Sequence, residues 1–171
     1  MFRTARLDAR PIEDADIDGL LDVYLSNPAV LAVTEGSAGE PGHYDRGMLE
    51  RDLWMSELDP ARHTAGLFLQ GGGTCVGVLD WVDANPADDL PWIGLVMVHA
   101  ARQRHGYGRE ALLGLFEHGR AHRWERVRAA ALVDDAAATA LLRCAGMREI
   151  ERRPHRFAAG ERLLAVAEIA L

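Results

Sequence analysis

The chain contains no lysine, so every one of its 19 basic residues other than histidine is an arginine. A Walker-type phosphate loop, which must end in Gly-Lys-Ser/Thr, is thereby excluded. Long apolar runs are missing too. None approaches the roughly 20 residues that cross a bilayer, and the opening M-F-R-T-A-R-L-D-A-R lacks the apolar stretch of a secretory signal. The expectation is a cytoplasmic protein with no membrane contact. Cysteine is scarce: Cys75 and Cys144 lack the paired spacing of a disulfide framework or a zinc site, and both read as buried reduced thiols. His118 and His122 stand four apart on a helical pattern, but no third ligand accompanies them, so no metal is expected. The excess of acid, a formal charge of -7, argues against a nucleic-acid partner and suits a small or cationic one. The basic stretch from Arg120 to Arg128 reads as a helix C-terminus with a solvated face.

With 171 residues, 49% of them hydrophobic, the chain suits one domain spanning 1–171. A short strand is expected from Phe2 to Leu7. A helix carrying Ile17, Leu20, Leu21, Tyr24 and Leu25 on one face follows, capped by Asp14 or Asp16. Asn27 to Asp45, rich in glycine and proline, reads as a long loop, and Met48 to Leu58 as a second helix. Two strands joined by Gly71–Gly73 form a hairpin, and W-I-G-L-V-M-V, residues 92–98, is a strand covered on both faces. A long helix from Tyr107, a strand over 126–133, a helix stopped by Gly146 and a closing pair of strands complete the pattern βααβββαβαββ.

The junction V-H-A-A-R-Q-R-H-G-Y-G-R-E-A-L, residues 98–112, carries the chemistry. A strand that feeds a glycine-bearing turn into a helix N-terminus aims unpaired N–H groups and the positive end of the helix dipole at one point, where an anion such as a pyrophosphate fits. Gly106 and Gly108 permit close approach, and Arg102, Arg104 and Arg109 add positive potential. Gly-x-Gly also serves any tight turn. The dinucleotide fingerprint needs a third glycine at the first strand, and here it is absent.

The run Gln103-Arg104-His105-Gly106-Tyr107-Gly108 resembles the Q/R-x-x-G-x-G/A loop of the GNAT superfamily of acetyl-CoA-dependent N-acetyltransferases, and Asp135 to Met147 resembles that family's N-x-x-A-x-x-L-Y-x-x-x-G-F segment. The likeness implies a mixed α/β fold: a mostly antiparallel central sheet flanked by helices, with a V-shaped slot for acetyl-CoA. It further implies that backbone groups of Met97 and Val98 bond the pantetheine arm, that N–H groups from Gln103 to Arg109 bind the pyrophosphate, and that Asp135 stands where relatives place an Asn near the cofactor. The implied reaction is direct attack of a primary amine on the thioester, a backbone N–H near Met97 or Val98 steadying the oxyanion.

Two departures stand out. Residues 92–98 carry no acid to act as base, and the family's proton-donating Tyr is matched by Leu142. The nearest candidates for the base are Asp80 and Asp83, with Asp80 preferred because it interrupts an apolar strand, although such a position more often faces solvent; His99, Glu35 and His43 are outsiders. Trp54, Trp81 and Trp92 suit an acceptor pocket, a core or a dimer interface. The acceptor is a small-molecule or protein amine, a homodimer is compatible with edge strands near the C-terminus, and the rivals are a non-catalytic acyl-CoA-binding module or an unrelated phosphate-binding protein.

Overall fold

The computed structural model describes residues 1–36 and 42–171. Among these residues eight strands form one sheet: β1 (Phe2–Arg3), β2 (Leu7–Arg10), β3 (Arg62–Leu69), β4 (Cys75–Val82), β5 (Trp92–Val98), β6 (Arg126–Leu132), β7 (Arg148–Phe157) and β8 (Gly160–Ala170). Their order is β1-β2-β3-β4-β5-β6-β8-β7, and among these pairs β5–β6 alone is parallel. That pair needs a crossover, supplied by α4 (Tyr107–Ala121), whose Ala111, Leu112, Leu115 and Phe116 form a buried stripe at helical spacing. It shares one face of the sheet with α5 (Ala136–Cys144), over a core that includes Leu67, Leu79, Trp81, Ile93 and Leu142.

The other face is covered by α1 (Ile17–Leu25), α2 (Pro28–Thr34) and α3 (Arg46–Glu57). Ile17, Leu20, Leu31, Tyr44 and Leu49 pack there against Val78 of β4 and Met97 of β5. The sheet is thus sandwiched, and its two central strands are reached by helices from both sides. Among the described residues, no helix is long and apolar enough to cross a membrane.

Three sequence expectations need correction. The first strand divides in two, because Thr4 N–H closes a turn on Leu7 O at 2.9 Å. The stretch from Asn27 to Asp45 is not loop throughout: Pro28 occupies the first helical turn of α2, where its missing N–H costs nothing, and Leu31 anchors the helix at 2% exposure. Residues 37–41 of that stretch lie outside the described residues. Cys144 is exposed, not buried, while Cys75 is half-buried with its thiol pushed up to about 11 by burial.

Candidate active site

The slot begins with one extra residue. Asp80 pairs with Leu95 and Trp81 with Ile93, so Gly94 bulges from β5. A Cβ on Gly94 would sit 2.7 Å from Asp80 Oδ1, so any larger residue there must displace the Asp80 carboxylate. The bulge puts Ile93 and Val96 toward α4 and α5, and Leu95 and Met97 toward α1–α3. Pairing with β6 stops there: only Trp92↔Arg128 and Ile93↔Ala129 are in register, while β6 stays bound to β8 along its whole length. Beyond Ile93, β5 and β6 therefore part, and β5 offers an open edge.

Strand alternation decides which groups face that edge. His99 N–H donates to Val76 O of β4 at 2.9 Å, so Val98 O, across the same trans peptide, points the opposite way. It accepts from Asn27 Nδ2 at 3.2 Å and Gln103 Nε2 at 3.1 Å. Met97 turns its carbonyl toward Gly77 of β4. Met97 and Val98, expected to act side by side, thus point in opposite directions, and Val96 joins Val98 on the open edge.

The turn after β5 is held on several sides. Ser26 Oγ accepts from Ala100 N at 3.0 Å, His99 Nε2 lies 3.1 Å from Asp22 Oδ2, and Gln103 N–H donates to Ala100 O at 3.2 Å. Arg104 then takes φ 64° and Gly106 φ 85°, left-handed conformations that are rare for arginine and natural for glycine. The first helical bond of α4 runs from Glu110 N to Gly106 O at 2.9 Å. Six consecutive N–H groups, Arg104 to Arg109, have no acceptor among the described residues. Gln103 is excluded from that run because its own N–H is engaged in the turn.

A clamp from the first turn of the chain fixes the loop from outside. Arg6 Nη1 donates to His105 O at 3.1 Å, its guanidinium lies 4.5 Å from the Tyr107 ring centre, and its Nε meets Glu110 Oε2 at 2.6 Å. Thr4 Oγ1 donates to Glu110 Oε1, also at 2.6 Å. Burial alone would raise the Glu110 carboxyl, but the bonds from Thr4 and Arg6 outweigh it and hold it below the ordinary range. An acid in the first turn of α4 is thereby kept away from the open donors. Beside Gly106 lies a cavity of about 390 Å³ bordered by Arg3, Arg6 and Arg109. Gly108 has a second purpose besides its open N–H: a Cβ there would stand 3.3 Å from Leu141 Cδ2, so it also sets the approach of α4 to α5.

Asp80 is buried, at 7% exposure, which corrects the solvent-facing expectation. Its Oδ2 accepts from Arg62 Nε at 2.9 Å and Thr64 Oγ1 at 2.8 Å, while Oδ1, beside Gly94, has no protein partner among the described residues. Asp83 is exposed at the end of β4, with His63 Nε2 at 2.8 Å from its Oδ2. His43 is exposed, and His99 is engaged by Asp22 and by Ala101 N. Glu35 follows α2 and, with Asp80 and Asp52, raises the Tyr24 hydroxyl, for which burial is the larger cause. Tyr24 stacks on Tyr44 at 5.6 Å, and Tyr44 OH donates to Asp52 Oδ2 at 3.0 Å. Of the tryptophans, Trp81 and Trp92 are buried and Trp54 is 57% exposed. Leu142 is buried in the core, Asp135 caps α5 by accepting from Ala138 N at 2.9 Å, and no group of three potential metal ligands occurs among the described residues.

The sequence model for the Acetyltransferase (GNAT) domain matches residues 6–148, most of the chain. The protein belongs to the GNAT acetyltransferase family. Its fold agrees with solved GNAT structures. An acetyltransferase from Thermus thermophilus has 24% identity and TM-score 0.71, with 100% of each chain covered. The acetyltransferase from Salmonella typhimurium that modifies the N-terminal serine of ribosomal protein L7/L12 has 15% identity and TM-score 0.81, covering 98% of this chain and 96% of that one. RimL, the ribosomal L7/L12 α-N-protein acetyltransferase, in complex with coenzyme A, has 15% identity and TM-score 0.80 over the same shares. No curated protein matches the chain significantly. The GNAT slot fits CoA chemically: an open strand edge for amides, and a run of free N–H groups at a helix N-terminus for phosphates.

Proposed function

We propose that this GNAT protein transfers an acetyl group from acetyl-CoA to an α-amino group, with Asp80 as the base. One observation carries the reading: β5 leaves β6 at Ile93 and ends in six unpaired N–H groups over Arg104 to Arg109. When bound, acetyl-CoA supplies an activated acyl group with a thiol leaving group. The chain's own residues do the rest. The N–H groups of Arg104 to Arg109 hold the pyrophosphate, Val96 and Val98 align the pantetheine arm along β5, and the Val96 N–H stabilises negative charge growing on the acyl oxygen. Met97 keeps its backbone in the β4 ladder and packs the wall below. Asp135 holds the N-terminus of α5 beside the slot.

The acceptor enters from the α1–α3 side, where Asp80 presents its unpaired Oδ1 at the bulge. An ammonium group is a natural guest for that carboxylate and for the acidic surroundings of Tyr24 and Tyr44. An α-amine, with a reference pKa of roughly 7.7–8.0, asks less of the base than a lysine ammonium near 10.4. This chemistry agrees with the N-terminal serine acceptor of the Salmonella protein. A cytoplasmic location is part of the proposal, because both cysteines are free thiols.

The test has two steps. Calorimetric titration with acetyl-CoA, ATP and NAD should give binding to acetyl-CoA alone; equal binding of all three would overturn the cofactor assignment. Thiol release is then followed with peptides bearing a free N-terminus, a blocked N-terminus with lysine, or neither. Turnover of the first group is expected, and binding without any thiol release would favour the non-catalytic reading that Leu142, in place of a tyrosine, invites.

A further inference from the structure

A buried base has to lose its proton once per turnover. Asp80 faces the slot through Oδ1, and during turnover that side is filled by acceptor and product. Its other oxygen leads elsewhere. Oδ2 accepts from Thr64 Oγ1 at 2.8 Å, and Thr64 Oγ1 lies 2.8 Å from Ser56 Oγ. A hydroxyl has one hydrogen, and that of Thr64 goes to Asp80, so Ser56 donates to Thr64. Ser56, at 5% exposure, and Asp80, at 7%, are the buried polar side chains among the described residues, and Thr64 joins them. The row crosses the sheet from β4 to β3 and reaches α3, away from the gap between β5 and β6.

The row ends in open space. Ser56 and Thr64 both line a cavity of about 110 Å³, with Arg62, Leu53 and the exposed Glu57 on its wall. A cavity of this size has room for several waters, with Ser56, Thr64, Arg62 and Glu57 on its wall to bond them. Arg62 also touches Asp80 Oδ2, but its guanidinium does not give up a proton, so it holds the carboxylate without relaying anything.

We infer that Thr64 and Ser56 form a proton exit from Asp80 to solvent. The inference rests on the reading of Asp80 as the base. The acceptor ammonium gives its proton to Asp80 Oδ1 and keeps the N–H electron pair for attack. The neutral carboxyl, no longer drawn to Arg62, turns about its Cβ–Cγ bond and passes the proton to Thr64 Oγ1. Thr64 passes its own hydrogen to Ser56 Oγ, and Ser56 gives one to a water in the cavity. For these transfers the two hydroxyls first rotate outward, Thr64 toward Ser56 and Ser56 toward the water, and the transfers themselves leave each hydrogen in its starting orientation. Thr64 and Ser56 touch no substrate and act through Asp80.

Ser56→Ala leaves every bond to Asp80 in place and breaks only the exit. With the best α-amine peptide, kcat should fall about tenfold, while acetyl-CoA affinity measured by calorimetry stays at the wild-type value. Small buffer bases such as imidazole should restore kcat in proportion to their concentration, and Ser56→Thr should restore it without them. Thr64→Val should fall further, and if it fails to bind acetyl-CoA as a folded protein, Ser56→Ala alone decides the matter. Asp80→Asn is measured in parallel. If Asp80→Asn is inactive and Ser56→Ala matches the wild type in kcat, pH profile and buffer response, the exit is overturned and the base stands. If Asp80→Asn turns over normally across pH, base and exit fall together.

Discussion

The strands β5 and β6 both lead into helices, and their two junctions are finished in opposite ways. At β6–α5, Asp135 caps the helix, accepting from Ala138 N at 2.9 Å. Thr139 Oγ1 donates to Asp135 O at 2.9 Å, so the end is closed with the chain's own atoms. At β5–α4, the cap position is Gly106, with φ 85° and no side chain to offer. Among the described residues six N–H groups are left open there, and Glu110, the acid in the first turn of α4, is held by Thr4 and Arg6. An end finished by its own side chain gains stability, typically about 1 kcal/mol, and cannot bind an anion with the same donors. The α4 junction forgoes that cap and keeps the donors for a ligand.

Closing the open end should have the largest effect. Gly106→Asp places a carboxylate at the cap of α4, where it competes for the same N–H groups and repels phosphate. Acetyl-CoA affinity measured by calorimetry should fall about 100-fold or more, roughly 2.7 kcal/mol. A wild-type affinity would mean that the six donors are not the phosphate site. Arg6→Ala attacks the same junction from outside, freeing the His105 carbonyl and leaving Glu110 without its arginine. The loop then loses its fixed shape, and affinity should fall about tenfold, roughly 1.4 kcal/mol, as read by the same titration. No loss would show that the loop holds its geometry without the clamp.

The contrast between the junctions was legible in the sequence only in part. Gly106 announced itself through its motif, and the boundaries of β5, α4 and α5 followed from apolar runs and periodicity. What the motif hid was division of labour. Gln103 and Gly108 lie inside it, yet one engages its N–H in the turn and the other also sets a helix contact. Arg6 and Thr4 reach Glu110 from the far end of the chain, a contact that no local pattern encodes. The Gly94 bulge was invisible because a bulge is a mismatch between two strands, and one strand cannot display it. The pairing of Thr64 with Asp80 was hidden in the same way: Phe68 lies opposite Cys75 near the turn, a register that would set Thr64 opposite Leu79, and the extra residue Val76 shifts β4 so that Thr64 meets Asp80.

The closed junction gives a smaller effect of opposite sign. Asp135→Asn keeps the cap, since asparagine accepts as well as aspartate, and removes a negative charge beside the slot. Thermal stability should stay within about 0.5 kcal/mol of wild type, while acetyl-CoA affinity should rise severalfold. A fall in affinity would show that the carboxylate itself serves the cofactor.

Acid separates the two ends of α4, with the smallest effect near neutral pH. In the last turn, His118 sits among Phe2, Trp81 and Trp124. Burial, and then nearby positive groups including His122, lower its pKa from 6.5 to about 4. The unfolded chain therefore takes up this proton first, so the contribution is intact above pH 6.5 and declines as pH falls toward about 4. Glu110, in the first turn, is depressed below its ordinary 4.5, so its contribution is intact above that pH and is lost as pH falls below it. Denaturant unfolding as a function of pH should show stability sloping downward from 6.5 to 4, and His118→Phe should remove much of that slope while leaving the steeper loss below 4.5. An unchanged slope in His118→Phe would mean that the far end of α4 does not set the acid response, and that both ends answer to carboxylates.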